Sequence, residues 1–183
     1  MKDLQLGLQA CDVGHLHNFN RFMECQDNNV HYHCKKTEEK IYDGYSWSMT
    51  SNHTCEVLNG YGCTTRKSLT LKFPDKSIFK SEDLIRHFIR GYWDGDGCLC
   101  FTYNTHYVSV LGTEDFLNEL KKYLPGFENI NPSRHKNATF QIGCGDKKAY
   151  DVVSYLYKDA SIYLDRKYEK YLDFCRAYEE SYV

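Results

Sequence analysis

The stretch IRGYWDGDG, residues 89–97, puts Gly91 and Gly95 four positions apart and Asp94 and Asp96 two apart. It ends a segment that reads as a helix. Ser81 is a suitable N-cap, and Glu82 and Asp83 suit the positive end of a helix dipole. Leu84, Ile85, Phe88, Ile89 and Tyr92 recur at helical spacing, which predicts a helix from 82 to about 93. Glycine costs such a helix roughly 1 kcal/mol per position against alanine. Small residues at i and i+4 share one face and let another helix come close, so Gly91, Gly95 and the adjoining Asp94 are expected to form a helix-pairing interface.

The acids fall where that helix stops. Its C-terminal end is negative, so a carboxylate there is unfavourable unless a cation is near. Asp96 and the backbone carbonyl at Gly95 offer the hard oxygen ligands that magnesium takes. Two paired helices of this kind would converge two aspartates, and paired carboxylates with divalent ions suit phosphodiester hydrolysis. Taken alone, DGDG is equally an Asp-Gly turn closing a helix.

The chain has 183 residues, 42% hydrophobic, which suits one compact domain or two small joined halves. Three prolines and no low-complexity run argue against disorder. No apolar run approaches a membrane span and MKDLQLG is no signal segment, which predicts a cytoplasmic protein. Nine cysteines without a CxxC pair read as reduced thiols. His15 and His17, and His31, His33 and Cys34, meet no zinc spacing; His31 and His33 read more simply as one face of a strand. Net charge is −2, a poor start for gripping nucleic acid. Yet Arg66, Lys67, Lys72, Lys76, Lys80, Arg86 and Arg90 stand against only Asp75, Glu82 and Asp83 between Cys63 and Gly91. A local basic face and a solvated mixed surface both fit that pattern.

Strands are expected at 4–10, around 31–34 and at 45–50, with helices after Asp12 and at 54–59. Beyond the 82–93 helix, CLCFTY and HYVSVL alternate and form a hairpin. Thr113 caps a helix that Pro125-Gly126 stops; a strand near 138–143 and helices at 147–157 and 165–178 follow. Tyr163, Tyr168, Tyr171 and Tyr178 recur at helical spacings and read as packing residues. LQLGLQACDVGHLHNFNRFM parallels HYVSVLGTEDFLNELKKYL, and YSWSMTSNHTCEVLNGYG parallels TFQIGCGDKKAYDVVSYLY. This predicts an internal repeat, residues 1–74 and 75–183, whose first copy lacks the equivalent of the 82–93 helix and the strand after it.

IRGYWDGDG resembles the motif of the LAGLIDADG homing endonucleases: Gly91, Asp94, Asp96 and Gly97 match, and Ile89, Tyr92 and Trp93 hold apolar positions. Arg90 and Gly95 stand where the family often has a small residue. The order RKSLTLKFP, HFIRGYWDGDG, hairpin, LGTEDFLNELKKYL and YLDRKYEKYLDF is similar to mobile-element members, over residues 45 to 174. The resemblance implies an α+β fold, αββαββα, with an antiparallel saddle over duplex DNA. It further implies Mg2+ bound at Asp96, which becomes the catalytic residue. Strand residues would read the major groove. The expected DNA contacts are Arg66, Lys67, Lys72, Thr102, Asn104, Thr105, His106, Ser109, Arg134 and Lys136. For each hairpin residue an ordinary polar surface is the alternative.

One motif per chain implies a homodimer through the motif helix. The near-neutral charge leaves two other expectations: a member that binds DNA without cutting it, and a phage or mobile-element inhibitor of a host RNA-guided nuclease (anti-CRISPR-like).

Overall fold

The computed structural model describes residues 2–26, 29–37, 41–65, 70–102, 105–133 and 138–181. It divides into two compact units, Met1–Gly60 and Tyr61–Val183. Among the described residues no helix is long and apolar enough to cross a membrane.

In the first unit, β1 (Asp3–Gln9) leads through a 3-10 turn into α1 (Val13–Phe22), then β2 (Val30–Lys36), β3 (Ile41–Thr50) and α2 (Asn52–Gly60). The sheet is antiparallel, ordered β1-β3-β2. Its core is small. Leu16 and Trp47 are fully buried, and Phe19 meets Trp47 edge-on with ring centroids 4.9 Å apart. Asn20 lies among them with its amide satisfied: Trp47 Nε1 donates to its Oδ1 at 2.7 Å, and its Nδ2 donates to the carbonyls of Cys25 and Gln26. His31 and His33 both lie on β2, two positions apart and so on one face, as expected.

The second unit runs α3 (Glu82–Asp96), β4 (Gly97–Thr102), β5 (Thr105–Gly112), α4 (Glu114–Leu120), β6 (Ile130–Pro132), β7 (Phe140–Gly145), α5 (Asp146–Tyr157) and α6 (Asp165–Glu180). That is αββαββα followed by one further helix. The sheet is antiparallel, ordered β4-β5-β7-β6. Its inner face, Leu99, Val108, Val110 and Ile142, joins Ile89 and Trp93 of α3, Phe116 and Leu117 of α4 and Val153 of α5 in one core. Thr113 caps α4 as expected: its Oγ1 accepts from Phe116 N at 3.2 Å and donates to the Leu71 carbonyl at 2.5 Å. Ser81 occupies the N-cap position of α3, but its side chain makes no capping bond.

The repeat is visible in topology. β1-α1-β2-β3-α2 follows the same course as β5-α4-β6-β7-α5, and β1-β3-β2 is the same permutation as β5-β7-β6. The first unit, as described, holds no counterpart of α3 or β4. The fold is therefore one complete repeat and one truncated repeat. The tyrosines near the C-terminus pack as expected: Tyr163 stacks on Tyr168 at 4.0 Å, Tyr157 on Tyr171 at 4.7 Å and Tyr150 on Tyr178 at 4.6 Å.

Candidate nucleic-acid interface and metal end

Helix α3 has two faces with different chemistry. Ile85, Ile89 and Trp93 are buried apolar positions, and beside them run Arg86, Arg90 and Asp94, also buried. Three buried charged residues at i, i+4 and i+8 need partners. They find them in the last residues of α5 and in the segment 158–164, which links α5 to α6. Arg86 Nη1 donates to the Lys158 carbonyl at 2.6 Å. Arg90 donates to the carbonyls of Ile162 (3.0 Å) and Leu156 (3.4 Å) and to His87 Nδ1 (2.7 Å). Asp94 accepts from the Tyr157 hydroxyl at 2.6 Å and the Leu164 backbone N–H at 3.0 Å. The arginines thus satisfy carbonyls left open where α5 ends. Burial pushes the Asp94 carboxyl above its ordinary range, against the pull of Tyr157, Leu164, Arg90 and Lys167.

Gly91 and Gly95 lie on the opposite, exposed side, in line with half-exposed Leu84. A Cβ at either glycine would meet nothing within 4 Å. Asp96 is the last residue of α3, also exposed, and its carboxylate makes no hydrogen bond or ion pair among the described residues. Tyr92 senses it: burial first, then the Asp96 charge, pushes the phenol above its usual value. Asp94 is on the inward side and does not share the surface of Gly91 and Gly95.

Beyond Asp96 the chain turns directly into β4. A Cβ at Gly97 would lie 2.6 Å from the Trp93 carbonyl and 2.5 Å from its indole, so only glycine fits this junction. The Gly97 carbonyl accepts from Nζ of Lys167, in the first turn of α6. A lysine at a helix N-terminus opposes the dipole of its own helix. Here the side chain reaches the negative end of α3 instead. Burial, then Arg166, holds its ammonium below the ordinary lysine range. Lys167 was not among the residues expected from sequence, because its partner lies 70 positions away.

The sheet's outward face follows from the register. Cys98 pairs with Ser109, Cys100 with Tyr107, Thr102 with Thr105, Ser109 with Gly143 and Leu111 with Gln141. Cys98, Cys100, Thr102, Thr105 and Tyr107 are exposed, while Leu99, Val108 and Val110 face the core. Ser109 is on the outward face but covered, accepting from Gln141 Nε2 at 2.8 Å. Tyr107 folds flat beside it, with its hydroxyl oxygen 2.5 Å from where a Gly143 Cβ would stand. Asn131 on β6, exposed and in register with Gln141, completes the face.

His106 is not on this face. It is buried, with ring centroids 5.1 Å from Phe174 and 5.4 Å from Tyr178, because β5 alternation turns it inward. Lys72 is exposed in the segment before α3 and lies outside the sheet. Arg66, Lys67, Asn104, Arg134 and Lys136 lie outside the described residues. Among the described residues no group of three or more His, Cys, Asp and Glu could hold a metal ion.

No protein-family model matches the sequence, and no curated protein is similar to it. Solved structures are similar in fold. The LAGLIDADG meganuclease I-AabMI bound to uncleaved DNA superposes at TM-score 0.59 and 10% identity, over 97% of this chain and 81% of that one. The LAGLIDADG homing endonuclease I-GzeII in complex with its DNA target gives 0.57 at 12%, over 95% and 78%. I-SmaMI bound to uncleaved DNA target in the presence of calcium ions gives 0.55 at 12%, over 95% and 78%. The fold of this chain is the LAGLIDADG homing-endonuclease fold.

Proposed function

We propose that the protein binds duplex DNA on its sheet and cleaves it as a homodimer that requires a divalent metal ion. The observation that carries this reading is the exposed side of α3. Two glycines whose Cβ positions are empty lead straight to a carboxylate at the helix end that has no partner among the described residues. A helix interior with two uncovered glycines has a reason to exist if a second backbone packs there. A second copy of α3 related by a two-fold would bring its own Asp96 alongside.

The donor set suits magnesium: an exposed carboxylate with the carbonyl of Gly95 beside it, both hard oxygens. One chain supplies one carboxylate, so each half of the dimer contributes one Asp96. When bound, the metal polarises the phosphate and lowers the pKa of an attacking water. The chain's own residues do the rest. Thr102, Thr105, Tyr107, Gln141 and Asn131 offer hydroxyl and amide groups to base edges, and Lys72 offers charge to phosphates. Lys167 holds an ammonium at the end of α3, where a phosphate bound beside Asp96 would carry its negative charge. Arg66, Lys67, Asn104, Arg134 and Lys136 are retained as proposed DNA contacts.

The test is a selection from randomised duplex DNA in calcium, followed by magnesium on the enriched site. One long enriched site, cut on both strands in magnesium, is the expected result. Asp96→Asn should keep calcium-dependent binding and lose at least about 100-fold in cleavage rate. Unchanged cleavage by Asp96→Asn removes Asp96 from the mechanism, and no enriched sequence overturns the DNA-binding reading.

A further inference from the structure

We propose that Asp94 is a positioning residue: by holding the Leu164 N–H and the Tyr157 hydroxyl, it sets the start of α6 so that Lys167 reaches the Asp96 end of α3. The role assigned to Lys167 rests on the endonuclease reading; the way Lys167 is held does not.

The geometry makes a short chain of contacts. Leu164 is the N-cap residue of α6, with extended backbone. Its side chain is buried, and its N–H would be buried without a partner if Asp94 were removed. Its carbonyl accepts from Lys167 N at 2.8 Å and Tyr168 N at 3.0 Å, so fixing Leu164 fixes the first turn of the helix. Lys167 lies in that turn and delivers its ammonium to the Gly97 carbonyl. Tyr157 ends α5, so the second oxygen of Asp94 ties α5 and the start of α6 to one side chain of α3. Arg86 and Arg90 strap the intervening carbonyls of Lys158 and Ile162 to the same helix. Asp94 and Asp96 therefore act at one site from opposite sides of α3, one facing the reaction and one facing its scaffold.

The measurement is acylation of Lys167 in the full chain by an N-hydroxysuccinimide ester, read by peptide mass spectrometry with exposed Lys122 and Lys147 as internal references. Asp94→Ala removes the hydrogen bonds to both Leu164 and Tyr157, so it should speed labelling of Lys167 at least about fivefold and leave the references unchanged. Asp94→Asn keeps one acceptor for Leu164 and one polar group for Tyr157, and should restore the wild-type rate. Equal labelling in wild type and Asp94→Ala overturns the proposal. Should Asp94→Ala not fold, amide exchange in the wild type decides: the Leu164 N–H should exchange at least about tenfold slower than that of Asp165, and fast exchange overturns the proposal.

A cleavage cycle then asks whether Asp94 works through Lys167. Asp94→Ala should add no more than about twofold to the loss already caused by Lys167→Met, whereas multiplying effects would overturn the proposal. A wild-type chain that cuts no DNA would sink the endonuclease reading and leave the labelling result standing.

Discussion

Two positions apart on an α-helix is a rotation of about 200°, so Asp94 and Asp96 fall on opposite sides of α3 although the sequence writes them almost together. The helical period could have separated them, but their grouping as one acidic end hid the distinction. His106 was hidden differently. Alternation along β5 offered two faces, and the choice between them depended on the helices that cover one, which no hairpin sequence contains. Its ring now lies among Phe101, Phe174 and Tyr178 with Nε2 buried and unpartnered among the described residues. Removing that unsatisfied nitrogen while keeping an aromatic ring should help. His106→Phe is expected to stabilise the protein by about 1 kcal/mol and raise its melting temperature by a few degrees. A lower melting temperature in calorimetry would mean that the imidazole is satisfied after all.

At the level of elements, strong periodicity made most of the fold legible. The helices α1, α2, α3, α5 and α6 and the β4-β5 hairpin lie where apolar spacing puts them. β6 did not announce itself, since three residues ending in Pro132 carry too short a pattern and proline tolerates only an edge. α4 stops at Leu120, before Pro125-Gly126, yet Leu124 stays buried because turns carry the chain onward over the core. For α3 the sequence showed the glycines and left open which side they faced. Their exposure sets two energies against each other. Gly91→Ala with Gly95→Ala should stabilise the monomer by roughly 1 kcal/mol per site, since helix propensity rises and nothing is struck. The same methyl groups should weaken any dimer packed on that face. Analytical ultracentrifugation of wild type and double variant should show a weaker dimer beside a higher monomer melting temperature; an unchanged association constant would place the dimer interface elsewhere.

Across the whole molecule, the same alternation divides the second unit's sheet between an inward and an outward face, and cysteines report on both. Cys98 and Cys100 are exposed on the outward face; Cys144 is buried on the inward one, its thiol pushed up to about 11 by burial. At pH 8 such a thiol holds roughly a hundredfold less thiolate than an ordinary one. Iodoacetamide should therefore modify Cys98 and Cys100 well before Cys144. Bound duplex should slow the first two and leave Cys144 unaffected; equal rates with and without DNA would take the sheet out of the interface. What the sequence could not show at this scale was how the net charge of −2 is laid out.

The described outward residues of β4, β5, β6 and β7 carry no ionised side chain at all; they are thiols, hydroxyls, amides, a phenol, the aliphatic Leu111 and glycines. Recognition by such a surface is decoupled from counterion release, which belongs to whatever lysines and arginines meet the phosphates. Raising ionic strength should then lower affinity for every duplex by a similar factor and leave the ranking of sequences intact, so selections run in dilute and in concentrated salt should return the same preferred site.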